Sequence, residues 1–189
     1  MNWDNDISYR KVEAIDIDRC GQMVCMMVHH DTPARLNGED ILILGPSLVC
    51  LNGHESIRID HGELEIIQFT IEFLCRSASE ELMRQDNFWE LAAKHNLFYL
   101  SPFLNKEDYE NGVIYLNPHI YRFLCYQFRN AQKASEDKSN GRWSCNTRSY
   151  LTEILMPFEK QKLEGLDPFL LKKDGIPYQL VEYVRSHYN

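Results

Sequence analysis

Apolar positions change their period part-way along this chain. Met23 to Val28 is a nearly unbroken apolar run, and Ile41 to Leu44 and Leu48 to Leu51 are two more. Ile57 and Ile59 alternate with Ser56, Arg58 and Asp60, and Leu64 to Ile71 is long and rich in isoleucine. Short runs of this kind, bounded by turn signals, predict strands. Asn37-Gly38 and Asn52-Gly53 are pairs preferred in type I′ hairpin turns, where both central residues take positive φ; His61-Gly62 is a weaker signal. No helical segment intervenes, so antiparallel pairing is expected.

Near residue 75 the spacing becomes helical. Ser77-Ala78-Ser79-Glu80 has capping-box form, with Leu82, Trp89 and Leu91 after it. Asn117-Pro118 reads as an N-cap followed by proline at the first helical position. Ile120, Leu124 and Phe128 then recur every fourth residue, and Arg129 and Lys133 sit late, where cations suit the helix dipole. Ser135 to Gly141 is a polar loop. Tyr150, Leu151, Ile154, Leu155 and Phe158 form the apolar stripe of a second helix, with Pro157 inside it and Gly165 as its stop. Pro177 opens a third helix carrying Leu180, Val181 and Val184. Strands first and helices afterwards predict an α+β layout.

Composition narrows the function classes. The chain has 189 residues, 44% hydrophobic and 25% charged, which suits a folded domain rather than a disordered one. Its net charge of -8 and the lack of a long Lys/Arg run argue against direct contact with a nucleic-acid backbone. Six cysteines (20, 25, 50, 75, 125, 145) include no C-x-x-C pair, so reduced thiols, several buried, are expected. The polar first residues and the lack of an apolar run approaching about 20 residues predict a cytoplasmic protein without membrane contact. The chain carries no G-x-S-x-G, P-loop or G-x-G-x-x-G motif. Pairs such as Asp16/Asp18 and Glu80-Glu81 read as solvated surface.

The stretch Arg35-Leu-Asn-Gly-Glu-Asp-Ile-Leu-Ile-Leu-Gly-Pro46 resembles the signature of the cupin-like sensor domain in AraC/XylS-type transcription regulators. In that signature a turn glycine (Gly38) leads into a strand (Ile41 to Leu44) that a proline (Pro46) ends. Ile66 to Leu74 is similar to the family's last barrel strand, Trp143 to Phe158 to its second linker helix, and Ile176 to Tyr188 to the first helix of its DNA-binding domain. The resemblance runs from about residue 20 to the end. It implies an antiparallel cupin-like β-barrel (a double-stranded β-helix, or jelly roll) over residues 1–75, with an N-terminal arm. A helical dimerisation and linker region over 76–165 would follow, then over 166–189 the start of a helix-turn-helix domain lying beyond Asn189. The implied function is to bind a small effector, with carbohydrate among the candidates, and to control that DNA-binding domain as a homodimer. DNA would be touched only through the domain beyond this chain.

A ligand pocket needs an apolar wall and a few aimed polar groups. Gln22, His29, Arg35, His54, Arg58 and Gln68, in or beside the apolar runs, are the candidates. Their alternative is surface charge for the arginines, and backbone partners for Gln68. Trp3 and Tyr9 lie in the arm, which is expected to close over the barrel mouth or to stay a tail. The two-fold interface is expected to use Ile120, Leu124, Phe128, Leu151, Ile154, Leu155 and Phe158; the alternative is that this stripe packs on its own β unit. The rival function is a metal-dependent cupin enzyme, an isomerase or dioxygenase. Its ligands would come from His29, His30, Asp31, His54 and His61. His29 and His30 are adjacent, so on a strand only one ring can face inward. Ser47 to Leu51, where the second cupin motif places a histidine, holds none. No catalytic residue, metal or cofactor is therefore expected. A free-standing small-molecule binding protein is the third reading.

Overall fold

The computed structural model describes residues 6–75, 98–104 and 110–164, without the side chains of 98, 110 and 158–164. The expected helices opening at Ser77 and Pro177, the stop at Gly165, and Trp3 lie outside the described residues. Nine strands are present among them: β1 Ile7–Val12, β2 Ile15–Asp18, β3 Met23–Val28, β4 Thr32–Leu36, β5 Glu39–Ile43, β6 Ser47–Leu51, β7 Ser56–Ile59, β8 Leu64–Phe69 and β9 Val113–Tyr115. Four helices accompany them: α1 Ile71–Leu74, α2 Ser101–Leu104, α3 Pro118–Glu136 and α4 Trp143–Glu164, with 3-10 turns at Phe98–Leu100 and Glu110–Gly112.

The strands form two antiparallel sheets, ordered β1-β8-β3-β6-β9 and β2-β7-β4-β5. Among the described residues no ladder joins the two, so the fold is α+β with two stacked sheets rather than a closed barrel. The pairs β1–β8, β2–β7, β3–β6 and β4–β5 are nested, as when one long hairpin is rolled up and shared between two sheets.

Side-chain alternation explains the layers. On β3, Val24, Met26 and Val28 face the second sheet. There they meet Ile17, Ala34, Leu36, Ile43, Ile57 and Ile59. Met23, Cys25 and Met27 face the other way, into a cluster with Leu124, Phe128, Leu151, Ile154 and Leu155 of α3 and α4. The centre of the five-stranded sheet is thus buried on both faces, which is why Met23 to Val28 of β3 and Leu48 to Leu51 of β6 read as apolar runs. The described residues between the two sheets are hydrocarbon, packed and buried.

Three local readings change for physical reasons. Leu64 to Ile71 is not one strand, because the Thr70 hydroxyl accepts from the Phe73 N–H and caps a short helix. The Asn37-Gly38 turn does have positive φ at both residues, 51° and 89°. Asn52-Gly53 does not turn this way: Asn52 Oδ1 accepts from the His54 N–H at 3.0 Å and Asn52 O from the Glu55 N–H at 3.2 Å. Glycine is needed at 53 for space, since a Cβ there would lie 2.6 Å from the Gly21 backbone. Finally, β9 returns to the first sheet after residue 75 and pairs with β6, so the boundary expected there does not end the β unit.

Candidate functional site

β3 ends at Val28, and His29 continues the parity of Met23, Cys25 and Met27. Its ring is therefore buried on the helix side of the sheet, while His30 falls on the opposite side and is exposed. His29 meets two elements there. Its Nδ1 lies 2.6 Å from the Tyr121 hydroxyl of α3, and its Nε2 lies 3.5 Å from Glu65 Oε1 of β8. The rings of His29 and Tyr121 meet edge to face at 5.7 Å. Tyr121 is on the first turns of α3, which Asn117 starts by accepting from the N–H groups of His119 and Ile120.

Glu65 is a buried carboxylate between Leu64 and Ile66 of β8. Tyr9 of β1 donates its hydroxyl to Oε2 at 2.8 Å, and Lys11 Nζ stands 3.8 Å from Oε1. The His29 imidazole holds the Glu65 carboxyl below its ordinary range; burial pushes the other way, and Tyr9 and Lys11 assist His29. At 3.5 Å, with Nε2 lacking a hydrogen-bond partner, the His29–Glu65 contact is an attraction at ion-pair range and not an aligned hydrogen bond. Burial, then Glu65, raises the Tyr9 phenol, and burial, then Cys125, pushes Tyr121 up to about 12. Burial also raises the Cys125 thiol one turn further along α3. The phenols and the thiol thus stay protonated near neutral pH and act as hydrogen-bond donors, not nucleophiles.

Lys11 also borders a cavity of about 410 Å³, lined with Val12, Glu13, His61, Gly62 and Glu63. It binds Glu63 Oε1 at 2.9 Å, and the Gly62 N–H donates to Glu13 O at 2.7 Å, tying the rim together. The cavity and the His29 cluster therefore share a wall.

Compared with known proteins, the chain matches no family model and no curated sequence.

The six residues singled out as pocket candidates do not converge. Arg35 and Arg58 are register partners on the exposed face of the second sheet, in a cross-strand row with Asp16 and Asp40. Arg35 holds Asp40 with Nε at 2.8 Å, and Arg58 holds Asp60 at 2.9 Å. His54 is exposed in its turn. Gln22 is half-buried just before β3, and its carbonyl accepts from the Cys20 thiol. Gln68 is half-buried, with Oε1 accepting from Arg10 at 2.8 Å. Only His29 enters the cluster, and on the helix side rather than between the sheets. Tyr9 is a sheet residue, not part of a loose arm. Among the described residues no three His, Cys, Asp or Glu side chains gather as a metal site, and no disulfide forms.

The expected interface residues are corrected as well. Leu124, Phe128, Leu151, Ile154 and Leu155 are all 0% exposed within the chain's own core, and Ile120 packs against it. They face inward, onto the apolar face of the five-stranded sheet that carries Met23, Cys25 and Met27. Of the interface set, the side chain of Phe158 lies outside the described residues. The outward face of the helices instead carries Phe123, Tyr126 and Met156. Sequence reading passed over Glu65, Lys11 and Tyr121; the signal for Glu65 was a charge between Leu64 and Ile66 in a strand too apolar to be solvated.

Proposed function

We propose that the chain is the sensing and dimerisation part of an AraC/XylS-type transcription regulator, cytoplasmic and non-catalytic, which binds a small effector and controls a helix-turn-helix domain following it. The carrying observation is the nested strand pairing of a rolled double hairpin with a helical hairpin packed on one sheet. This pairing supports the jelly-roll reading behind the family resemblance. The effector site is the rim cavity beside Lys11, because that is where a bound molecule reaches the contacts leading through Glu65 and His29 to α3. Its mixed lining of carboxylates, an amine and an imidazole suits a small hydroxyl-rich molecule, carbohydrate included. The homodimer pairs through the outward residues Phe123, Tyr126 and Met156.

A thermal-shift screen of neutral sugars and small polyols on the whole chain tests the sensing claim. A ligand at 100 times its dissociation constant adds about 2.7 kcal/mol. The gain is expected to vanish in Glu13→Ala. A shift that persists in that variant would move the site elsewhere, and no shift across the panel would count against the ligand class.

A further inference from the structure

We propose that Cys25 and Cys50 are a two-electron redox site, closing into a cross-strand disulfide when a small peroxide enters beneath α3 and α4. This inference stands apart from the effector reading, since it concerns the covered face of the five-stranded sheet and needs no bound effector.

Cys25 of β3 and Cys50 of β6 are register partners on antiparallel strands. Both side chains turn to the helix side of the sheet, and both are 0% exposed. Two bonds at the strand ends fix the kind of pair they make. The His29 N–H donates to Glu63 O at 3.2 Å, one position beyond the Val28–Leu64 pair. Backbone groups point alternately to the two sides of a strand, so His29, Met27 and Cys25 turn theirs toward β8 and away from β6. The Leu116 N–H donates to Pro46 O at 3.0 Å, one position before the Ser47–Tyr115 pair. By the same count Pro46, Leu48 and Cys50 turn their backbone groups away from β3. Cys25 and Cys50 therefore face each other as a non-hydrogen-bonded pair, the closer of the two kinds, with Cα atoms about 4.5 Å apart. That lies within the roughly 4.4–6.8 Å that a disulfide spans, so the bond needs side-chain rotation and not a shift of the strands. Cys125 borders the same cluster, but the sulfur it meets is the Met27 thioether at 3.9 Å, which forms no disulfide.

The step balances with hydrogen peroxide as the oxidant. One thiol gives up its proton, and its sulfur attacks a peroxide oxygen. The O–O bond breaks, hydroxide leaves and takes up that proton as water, and a sulfenic acid remains. The second sulfur attacks the sulfenic sulfur; the S–O bond breaks, and the hydroxyl leaves as water with the second thiol proton. Two electrons pass from the sulfur pair to the peroxide. Burial, then Cys50, pushes the Cys25 thiol well above its ordinary range, so thiolate is scarce while the helices are packed. Leu124, Phe128, Leu151 and Leu155 belong to the cluster that covers the pair. Oxidation is therefore paced by how often the helices lift from the sheet, and the site records that opening as a covalent bond between β3 and β6.

The whole chain is treated with hydrogen peroxide in native buffer, blocked with an alkylating agent and mapped by mass spectrometry after proteolysis. A peptide carrying Cys25 linked to one carrying Cys50, and parted by a reductant, is expected. Leu155→Ala, which loosens the helix layer, is expected to link several-fold faster. In Cys50→Ala the Cys25 thiol is expected to stay out of any intrachain disulfide, while the exposed Cys20 and Cys145 react as in the wild type. Should a variant fail to fold, the wild-type map still decides. Cys25 and Cys50 both free once Cys20 and Cys145 are oxidised, either of them joined to a different cysteine, or a link that forms only in urea would overturn the proposal. So would equal linking rates in Leu155→Ala and the wild type.

Discussion

The His29 ring and the Tyr121 hydroxyl, 92 positions apart in sequence, meet at 2.6 Å and tie the end of β3 to α3. This contact sits at the edge of a large apolar cluster, so its worth is read best by deletion. Tyr121→Phe keeps the ring and removes only the hydroxyl. It is expected to cost about 1 kcal/mol in urea unfolding, because it leaves a buried ring nitrogen without its hydrogen-bond partner.

Glu65 makes stability depend on pH in a stated direction. Its folded pKa is lowered from 4.5 by His29, against burial, with help from Tyr9 and Lys11. The charged form is thus favoured in the folded state. That contribution is fully present above about pH 4.5 and is lost as pH falls through the lowered folded value. Urea midpoints measured through the acid range are expected to fall less steeply for Glu65→Gln than for the wild type. An identical acid slope would show that Glu65 does not carry it.

The strand pattern was legible wherever a run was buried on one or both faces without interruption, as in β3, β6 and β8. β4 escaped because Pro33 stands in it and its exposed positions alternate with the small Ala34. β1 and β2 escaped because edge strands show polar residues to solvent, as Arg10, Lys11, Asp16 and Asp18 do. The helices α3 and α4 were readable from their stripes and the Asn117 cap, but the stripes alone did not say what they would cover. An apolar helix face satisfies its own sheet or a second copy equally well in one dimension. Here the outer face of β3, β6 and β8 was the nearer partner. The site was the least legible part, since Glu65, His29 and Tyr121 come together only through tertiary packing.

Leu155 shows what that packing is worth. It is 0% exposed within the cluster that joins α4 to the sheet. Leu155→Ala is expected to cost about 2–5 kcal/mol through lost burial and the cavity left behind. The same change should leave self-association per folded molecule unaltered, because the residue faces inward. A loss of association without a loss of stability would restore Leu155 to the interface.

Gly45 should resist any side chain. A Cβ there would lie 2.4 Å from the His30 carbonyl carbon, and the Gly45 N–H donates to Asp31 Oδ1 at 2.9 Å. Gly45→Ala is expected to lower the melting temperature by several degrees, as for a loss of about 1–3 kcal/mol from overpacking. An unchanged melting curve would mean that the two backbones separate at no cost.

Phe123 and Tyr126, one turn apart on the outward side of α3, carry the dimer claim. Light scattering on the whole chain at micromolar concentration puts the central idea to its most direct trial, run beside Tyr126→Glu. A particle of twice the chain mass is expected, falling to a single chain in the variant with its melting temperature kept. A strict monomer in the wild type, or a dimer indifferent to Tyr126→Glu, would contradict it.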